Sequence, residues 1–359
     1  MRRSVLRVSK MITNVIKVAE TGENYKAEII KAANVIKAGG LVVFPTETVY
    51  GLGADATNAD AIKKIYAAKG RPSDNPLIIH IATPEEAEDY TYTVPLYYKL
   101  AERFMPGPLT VVLNSKNSIP LATRGGLDTV AVRCPSNPIA RALISYAGVP
   151  IAAPSANLSG TPSPTSAAHV IDDMDGRVDV IIASDDSDIG LESTIVKIED
   201  DNTLTLLRPG KITVDDLLSV VDAVKIADSV TDKLADGAVA LSPGMKYRHY
   251  APKAPLMLVD SALSEYIDFV VAHKDEEIAV LAYSEQLASI HMAAPNVYCY
   301  DFGSITDEAD QAARLFAILR ETDKQSFKAI YAPLPKMDGM GLALYNRMIR
   351  AAAHRIIRL

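Results

Sequence analysis

Residues 69–77 read KGRPSDNPL. A lysine, an arginine, a serine and an asparagine crowded onto one turn offer the donors that a phosphate group takes. A purely local account stands beside this. Gly70 is placed to close a helix, Lys69 suits the C-terminal end of that helix, and Pro72 prevents its continuation. That account leaves Arg71 and Ser73-Asp74-Asn75 unexplained. Arg133 ends the apolar run TVAVRCP. If buried it needs a carboxylate partner, from a ligand or from a protein Asp or Glu. His80 sits inside LIIHIA, where a lone histidine is ordinarily a satisfied core residue. The stretch FPTETVYGLG at 44–53 sets two threonines, a glutamate and a tyrosine beside Gly51 and Gly53, directly after the run LVV. Such a stretch is a turn, or a place where backbone approaches a ligand closely.

Three further stretches offer similar groups. PSANLSGTPSPTS at 154–166 supplies hydroxyls, an amide and backbone N–H groups after a strand, as a plain Ser/Pro turn also does. Glu192-Ser193-Thr194 opens a strand, and Arg208-Pro209-Gly210 closes one. Other chemistries lack their residues. The six histidines show no HExxH, and no Gly-x-Ser-x-Gly elbow occurs. Cys134 and Cys299 form no CxxC pair, so there is no disulfide framework or zinc knuckle. GLGADA at 51–56 matches the loose dinucleotide fingerprint. PTETVY separates it from the strand, however, and Asp74 precedes a strand instead of ending one, so it is rejected as a dinucleotide site. No GxxxxGK[ST] is present.

The elements that must position these residues follow from periodicity. Residues 24–38 have apolar positions at helical spacing and stop at Gly39-Gly40. ADAIKKIYAAKG is a second helix with Asn58 or Asp60 near its N-cap, and YYKLAERFM and NPIARALISYAG are two more. Strands are expected at LVVF, PLIIHIA, LTVVLN, TVAVRCP, VPIAAPSAN, VDVIIAS, STIVKIE and TLTLLRPG. This mixture is α+β or mixed α/β, not a simple βαβ repeat. From residue 256 strands and helices alternate strictly, ending in GLALYNRMIRAAAHRI, with Thr306 as the expected N-cap of one helix. That pattern predicts a small Rossmann-like parallel α/β domain. The expected organisation is a first domain over 11–218, a linker over 231–255 and a second domain over 256–359.

The 359 residues suit two domains, and 48% hydrophobic content permits a sizeable core. A net charge of −7 argues against stable, nonspecific nucleic-acid binding. No apolar run approaches membrane-spanning length. The basic start MRRSVLRVSK lacks a signal-peptide core, and Met11 begins a more ordinary start, so the first ten residues are expected to be a short extension or to come from a misassigned start codon. Together these give the expectation of a cytoplasmic enzyme.

Taken in order, PTETVYGLG, KGRPSDNPL, TVAVRCP, PSANLSGTPSPT, ESTIV and LRPG resemble the YrdC-like family of threonylcarbamoyl-AMP synthases. SPGMKYRHYAP and GMGLALYNRMIRAA resemble the longer, two-domain form of that enzyme. The resemblance runs from about Met11 to the C-terminus. It implies the YrdC-like twisted mixed sheet with a positively lined cavity. It also implies a reaction in which L-threonine, bicarbonate or CO2, and ATP give threonylcarbamoyl-AMP and pyrophosphate. The product would pass to a tRNA threonylcarbamoyl transferase complex. By the same resemblance, Thr48, His80, Arg133 and Ser193 hold threonine with the main chain near Ala153. Lys69, Arg71, Asn75, Thr129, Ser155, Ser163 and Arg208 hold ATP, with Mg²⁺ on its phosphates and few protein ligands to the metal. No covalent nucleophile is implied; Lys69 and Arg71 stabilise charge. The linker is expected to close over the cavity as a lid, with His249 and Tyr250 facing the nucleotide. An RNA-binding module of the same fold and a carbamoyl transferase are the rival readings. The second rival lacks its zinc-finger-like cysteines here.

Overall fold

The computed structural model describes residues 11–18, 24–232 and 250–359. Within these, a mixed sheet organises the first part of the chain. Its strands run in the spatial order Asn14–Lys17, Val180–Ala183, Val42–Phe44, Gly51–Asp55, Ile151–Ala152, Ile78–His80, Thr129–Arg133, Leu109–Ser115, Thr194–Ile198, Thr203–Arg208 and Ala223–Ile226. Thr91–Tyr92 pairs with Leu109–Ser115 off this path. The sheet runs past the expected boundary at 218, because Ala223–Ile226 pairs in parallel with Thr203–Arg208.

The helices form where the sequence signals are consistent. Ala59–Lys69 begins at Asn58, whose side chain accepts from the N–H groups of Asp60 and Ala61. It ends at Gly70, which has φ 63° in the left-handed region. Tyr25–Lys37 buries Ile29, Ala32, Ala33 and Ile36 against the sheet side also covered by Pro138–Ala147. The 44–53 stretch is a hairpin: Val42–Phe44 pairs antiparallel with Gly51–Asp55. Gly53 lies in the strand. A Cβ there would come within 2.7 Å of both Ile151 and the Phe44 ring, so close packing dictates the glycine.

The second domain is a five-stranded sheet in the order Tyr298–Asp301, Ile278–Ala282, Ala329–Pro333, Leu256–Asp260 and Ile356–Arg358, parallel throughout as the alternation predicts. Asp307, not Thr306, caps helix Glu308–Thr322, since its carboxylate accepts from Asp310 N–H. The two domains share apolar packing. Val49, Ile189 and Leu191 of the first join the core of the second, and Leu342 of the second joins the main core of the first. Gly190 sits in this junction at φ +74°, where a Cβ would meet Ala313 Cα at 2.5 Å.

Candidate active site

Strand register builds the site. His80 is the parallel partner of Arg133, and Arg133 is the antiparallel partner of Thr110. Cross-strand partners project to one face, so the three side chains form a row across adjacent strands. Thr110 Oγ1 then meets Ser193 Oγ at 2.8 Å. Arg208, at the end of its strand, donates from Nε to Ser193 O at 3.0 Å and from Nη2 to Ser193 Oγ at 3.1 Å. The cavity over this row is also lined by Thr46, Thr48, Lys69, Arg71, Ala153, Ser155, Glu192 and Tyr250. His80, Lys69, Arg133, Arg208 and Glu192 are all buried. So much buried charge is costly unless it is paired, and the pairings define the chemistry.

Arg133 has a protein partner: Nη2 donates to Glu47 Oε1 at 2.7 Å, and both side chains are buried. Nε reaches Gly107 O at 3.4 Å. Burial pushes the Glu47 carboxyl up, but the Arg133 charge and hydrogen bond outweigh it and hold the group below the usual carboxylate range. The other Glu47 oxygen is buried without a hydrogen-bond partner among the described residues.

Burial, then the neighbouring Arg133 charge, pulls His80 down to about 3, so the ring is neutral at pH 7. Its Nδ1 lies 3.3 Å from Ile151 O. A carbonyl only accepts, so Nδ1 carries the proton and Nε2 is left as an acceptor. The Phe44 ring stands edge-on to the imidazole and fixes its plane.

Burial first, and then Arg71, hold the Lys69 amine well below its usual range. Its Nζ donates to Ser155 O at 2.5 Å, Asn157 O at 2.7 Å and Asn157 Oδ1 at 3.3 Å. An ammonium has three N–H groups, so Lys69 braces the loop that carries Ser155. Ser155 Oγ donates to the same Asn157 Oδ1. Arg71 lines the cavity, and its Nη2 lies 3.4 Å from both Asn75 O and Pro76 O. The Asn75 side-chain amide is buried with neither Nδ2 nor Oδ1 partnered among the described residues.

Of the residues expected here, Thr48, Lys69, Arg71, His80, Arg133, Ala153, Ser155, Ser193 and Arg208 line one cavity. Ser163 stands behind the wall, donating to Glu192 Oε1. Asn75 lies behind Arg71. Thr129 is elsewhere: it starts the strand that Arg133 ends, and it borders a separate groove with Tyr92, Val112 and Lys197. Strand alternation put Thr129 on the face of Arg133, but four residues of extended chain carry it well clear. His249 falls outside the described residues, while Tyr250 is at the cavity. Sequence reasoning missed the two carboxylates. Glu47 lies within PTETVY and Glu192 within EST, and the signal that points to them is the need of buried arginines for carboxylate partners. No helix among the described residues is long and apolar enough to cross a membrane.

The fold and site define an α/β enzyme whose cavity is built from buried arginines and a neutral histidine, with no nucleophile–base triad among the described residues. Comparison with known proteins narrows the class. The family model described as "Telomere recombination" matches residues 34–210, and that of the threonylcarbamoyl-AMP synthase C-terminal domain matches 212–353. The threonylcarbamoyl-AMP synthase of Pyrococcus abyssi is 43% identical over 350 residues, covering 97% of this chain and 100% of that one. That of Bacillus subtilis is 43% identical over 336 residues, covering 92% and 94%. The crystal structure of P. abyssi Sua5 complexed with L-threonine superposes with a TM-score of 0.87 at 40% identity, over 97% of this chain and 100% of that one. The chain belongs to the threonylcarbamoyl-AMP synthase family, and is an enzyme of that transferase kind.

Proposed function

We propose that this enzyme condenses L-threonine, bicarbonate or CO2, and ATP into L-threonylcarbamoyl-AMP and pyrophosphate, the first step of a tRNA modification completed by a separate transferase complex. His80, Arg133 and Ser193 in one cavity with Arg71 and Arg208 carry this reading, Thr110 bracing Ser193 from the strand beside Arg133. They put an acceptor and a carboxylate-binding cation beside cations suited to phosphates. Arg133 takes the threonine carboxylate with the part of its guanidinium that Glu47 leaves open. Thr48, Ser193, the His80 Nε2 lone pair and the main chain at Ala153 orient the hydroxyl and amine. The amine adds to CO2 with loss of a proton. The resulting carbamate oxygen attacks the α-phosphorus and pyrophosphate leaves. Such a transfer needs alignment and charge stabilisation, not a protein nucleophile.

Arg71, Arg208, Ser155, Ser163 and Asn75 hold the nucleotide, the unpartnered Asn75 amide being a group that a ligand would satisfy. For Lys69 to meet a phosphate, that oxygen must share or displace the carbonyls of Ser155 and Asn157. Glu192, on the cavity wall, is paired with Arg347, and Glu47, paired with Arg133, is not among the residues that line the cavity. Magnesium therefore arrives with the ATP phosphates as part of the substrate. Tyr250 supports a lid over the site. It is buried at the cavity with φ 64°, and the next N–H, of Ala251, donates to Gly160 O at 2.9 Å. A lid there excludes water from the mixed anhydride.

The test is pyrophosphate release with each substrate withheld in turn, and mass detection of the adenylate. Release that persists undiminished without threonine would reduce the enzyme to an ATP pyrophosphatase. For the lid, His249→Ala lowers the yield of stable adenylate with little change in Tm. Unchanged yield removes the lid.

A further inference from the structure

Arg347 belongs to helix Gly341–Ala351 of the second domain and is fully buried. Its Nε donates to Glu192 Oε2 at 2.7 Å and its Nη2 to Glu192 O at 3.3 Å. Its Nη1 donates to Asn346 Oδ1 at 2.8 Å, and Asn346 Nδ2 is anchored on Val230 O at 2.6 Å. The guanidinium is thereby fixed at both ends. The Tyr250 ring, stacked on Phe316 of the same domain, lies 5.8 Å from its Cζ.

Glu192 is a first-domain residue on the cavity wall. Oε1 accepts from Ser163 Oγ, and the following residue, Ser193, accepts two hydrogen bonds from Arg208. Two cations therefore compete for one buried carboxylate: Arg208, within the catalytic cavity, and Arg347, from across the domain junction. The geometry decides the competition. Arg347 makes the direct ion pair, while among the described residues Arg208 bonds to Ser193. Burial pushes Glu192 up, yet Arg347 and then Arg208 more than offset it and keep the carboxyl ionised.

We propose that Arg347 is a positioning residue for the nucleotide subsite. By saturating Glu192 it leaves the Arg208 charge for the ATP phosphates and fixes the carboxylate that holds Ser163. The second domain is then part of the active site electrostatically, although Arg347 touches no substrate. Without Arg347, the Glu192 carboxylate draws on Arg208, and an anionic ligand must compete with a protein anion for the same guanidinium. The proposal rests on ATP being the ligand of this cavity.

Full-length wild type, Arg347→Met, Glu192→Gln and the double variant are titrated separately with Mg-ATP and with threonine, alongside Tm. Arg347→Met is expected to weaken ATP tenfold or more and threonine less than twofold. Adding Glu192→Gln is expected to return ATP affinity to within about threefold of wild type, because the competing carboxylate is gone. The Arg347→Met chain alone is expected to gain ATP affinity as pH falls and Glu192 takes a proton. Normal ATP affinity in Arg347→Met, whatever its Tm, makes the pair a structural clasp and overturns the proposal. So does an equal loss for both ligands that Glu192→Gln fails to recover. Should Arg347→Met not fold, Glu192→Gln decides: ATP affinity at or above wild type supports the proposal and a tenfold fall overturns it. A wild-type chain that binds no ATP overturns the underlying functional reading, and it does so in the control.

Discussion

Two cavities, one in each domain, differ in what lines them, and the one proposed for the chemistry is the smaller of this pair. The second domain's crevice, about 260 Å³, opens at the C-terminal ends of Leu256–Asp260 and Ala329–Pro333, where ligands of parallel sheets commonly bind. Its polar groups serve the fold. Glu308 accepts from Gly341 N–H at the start of a helix, Gln286 bridges Leu263 O and Tyr283 N–H, and Gln311 donates to Ser304 O. The first-domain cavity over His80 and Arg133 is only about 70 Å³. Around it lie a depressed lysine, a neutral histidine and two arginine–glutamate pairs, all buried. Fold position alone does not mark a site. Buried charge, kept at an energetic cost, does.

Breaking the contrast should be easiest at Arg133. Arg133→Ala removes a charge-assisted contact, about 1.5–3 kcal/mol or roughly ten- to hundredfold in threonine affinity. It also strands Glu47, costing about 3–5 kcal/mol of stability. Titration and thermal unfolding read the two effects. Arg133→Met with Glu47→Gln is expected to recover stability without recovering threonine binding. Unimpaired threonine affinity in either variant would remove Arg133 from the substrate site.

Arg71→Ala and Arg208→Ala are next. Each is expected to cost about 1.5 kcal/mol, or about tenfold, in ATP affinity while sparing threonine. The reverse pattern, read by the same titrations, would exchange the two subsites.

The pH dependence of stability sharpens the contrast further. His80 has a folded pKa of about 3, below its ordinary value, so between about pH 6.5 and 3 the unfolded chain binds a proton that the folded chain refuses. Stability therefore rises with pH across that window and is lost as pH falls through it, by about 1.4 kcal/mol per pH unit for one proton. Glu47 and Glu192, both depressed, add loss in the same direction at the acid end. Thermal scans across this range should show a shallower slope in His80→Gln. An identical slope would place the titration elsewhere.

The smallest effect belongs to the other cavity. Lys336→Ala in the second-domain crevice is expected to leave both substrate affinities within about twofold and stability within about 0.5 kcal/mol. A tenfold loss of either affinity would overturn the contrast drawn between the two cavities.

Much of this was legible in the sequence. Asn58 and Gly70 bracket a helix because capping chemistry is local. The strict alternation after residue 256 makes a parallel sheet because a parallel connection needs a crossover helix. His80 and Arg133 stood out because polar groups in apolar strands are costly. Tertiary structure decided what those residues meet. Register set His80 beside Arg133, and the hairpin brought Glu47 to a guanidinium 86 residues away. Strand length, not strand face, separated Thr129 from the cavity. Arg347 and Glu192 are 155 residues apart and in different domains. Local propensity and periodicity report the conformation of a segment. The partner of a buried charge is fixed only when packing brings distant segments together.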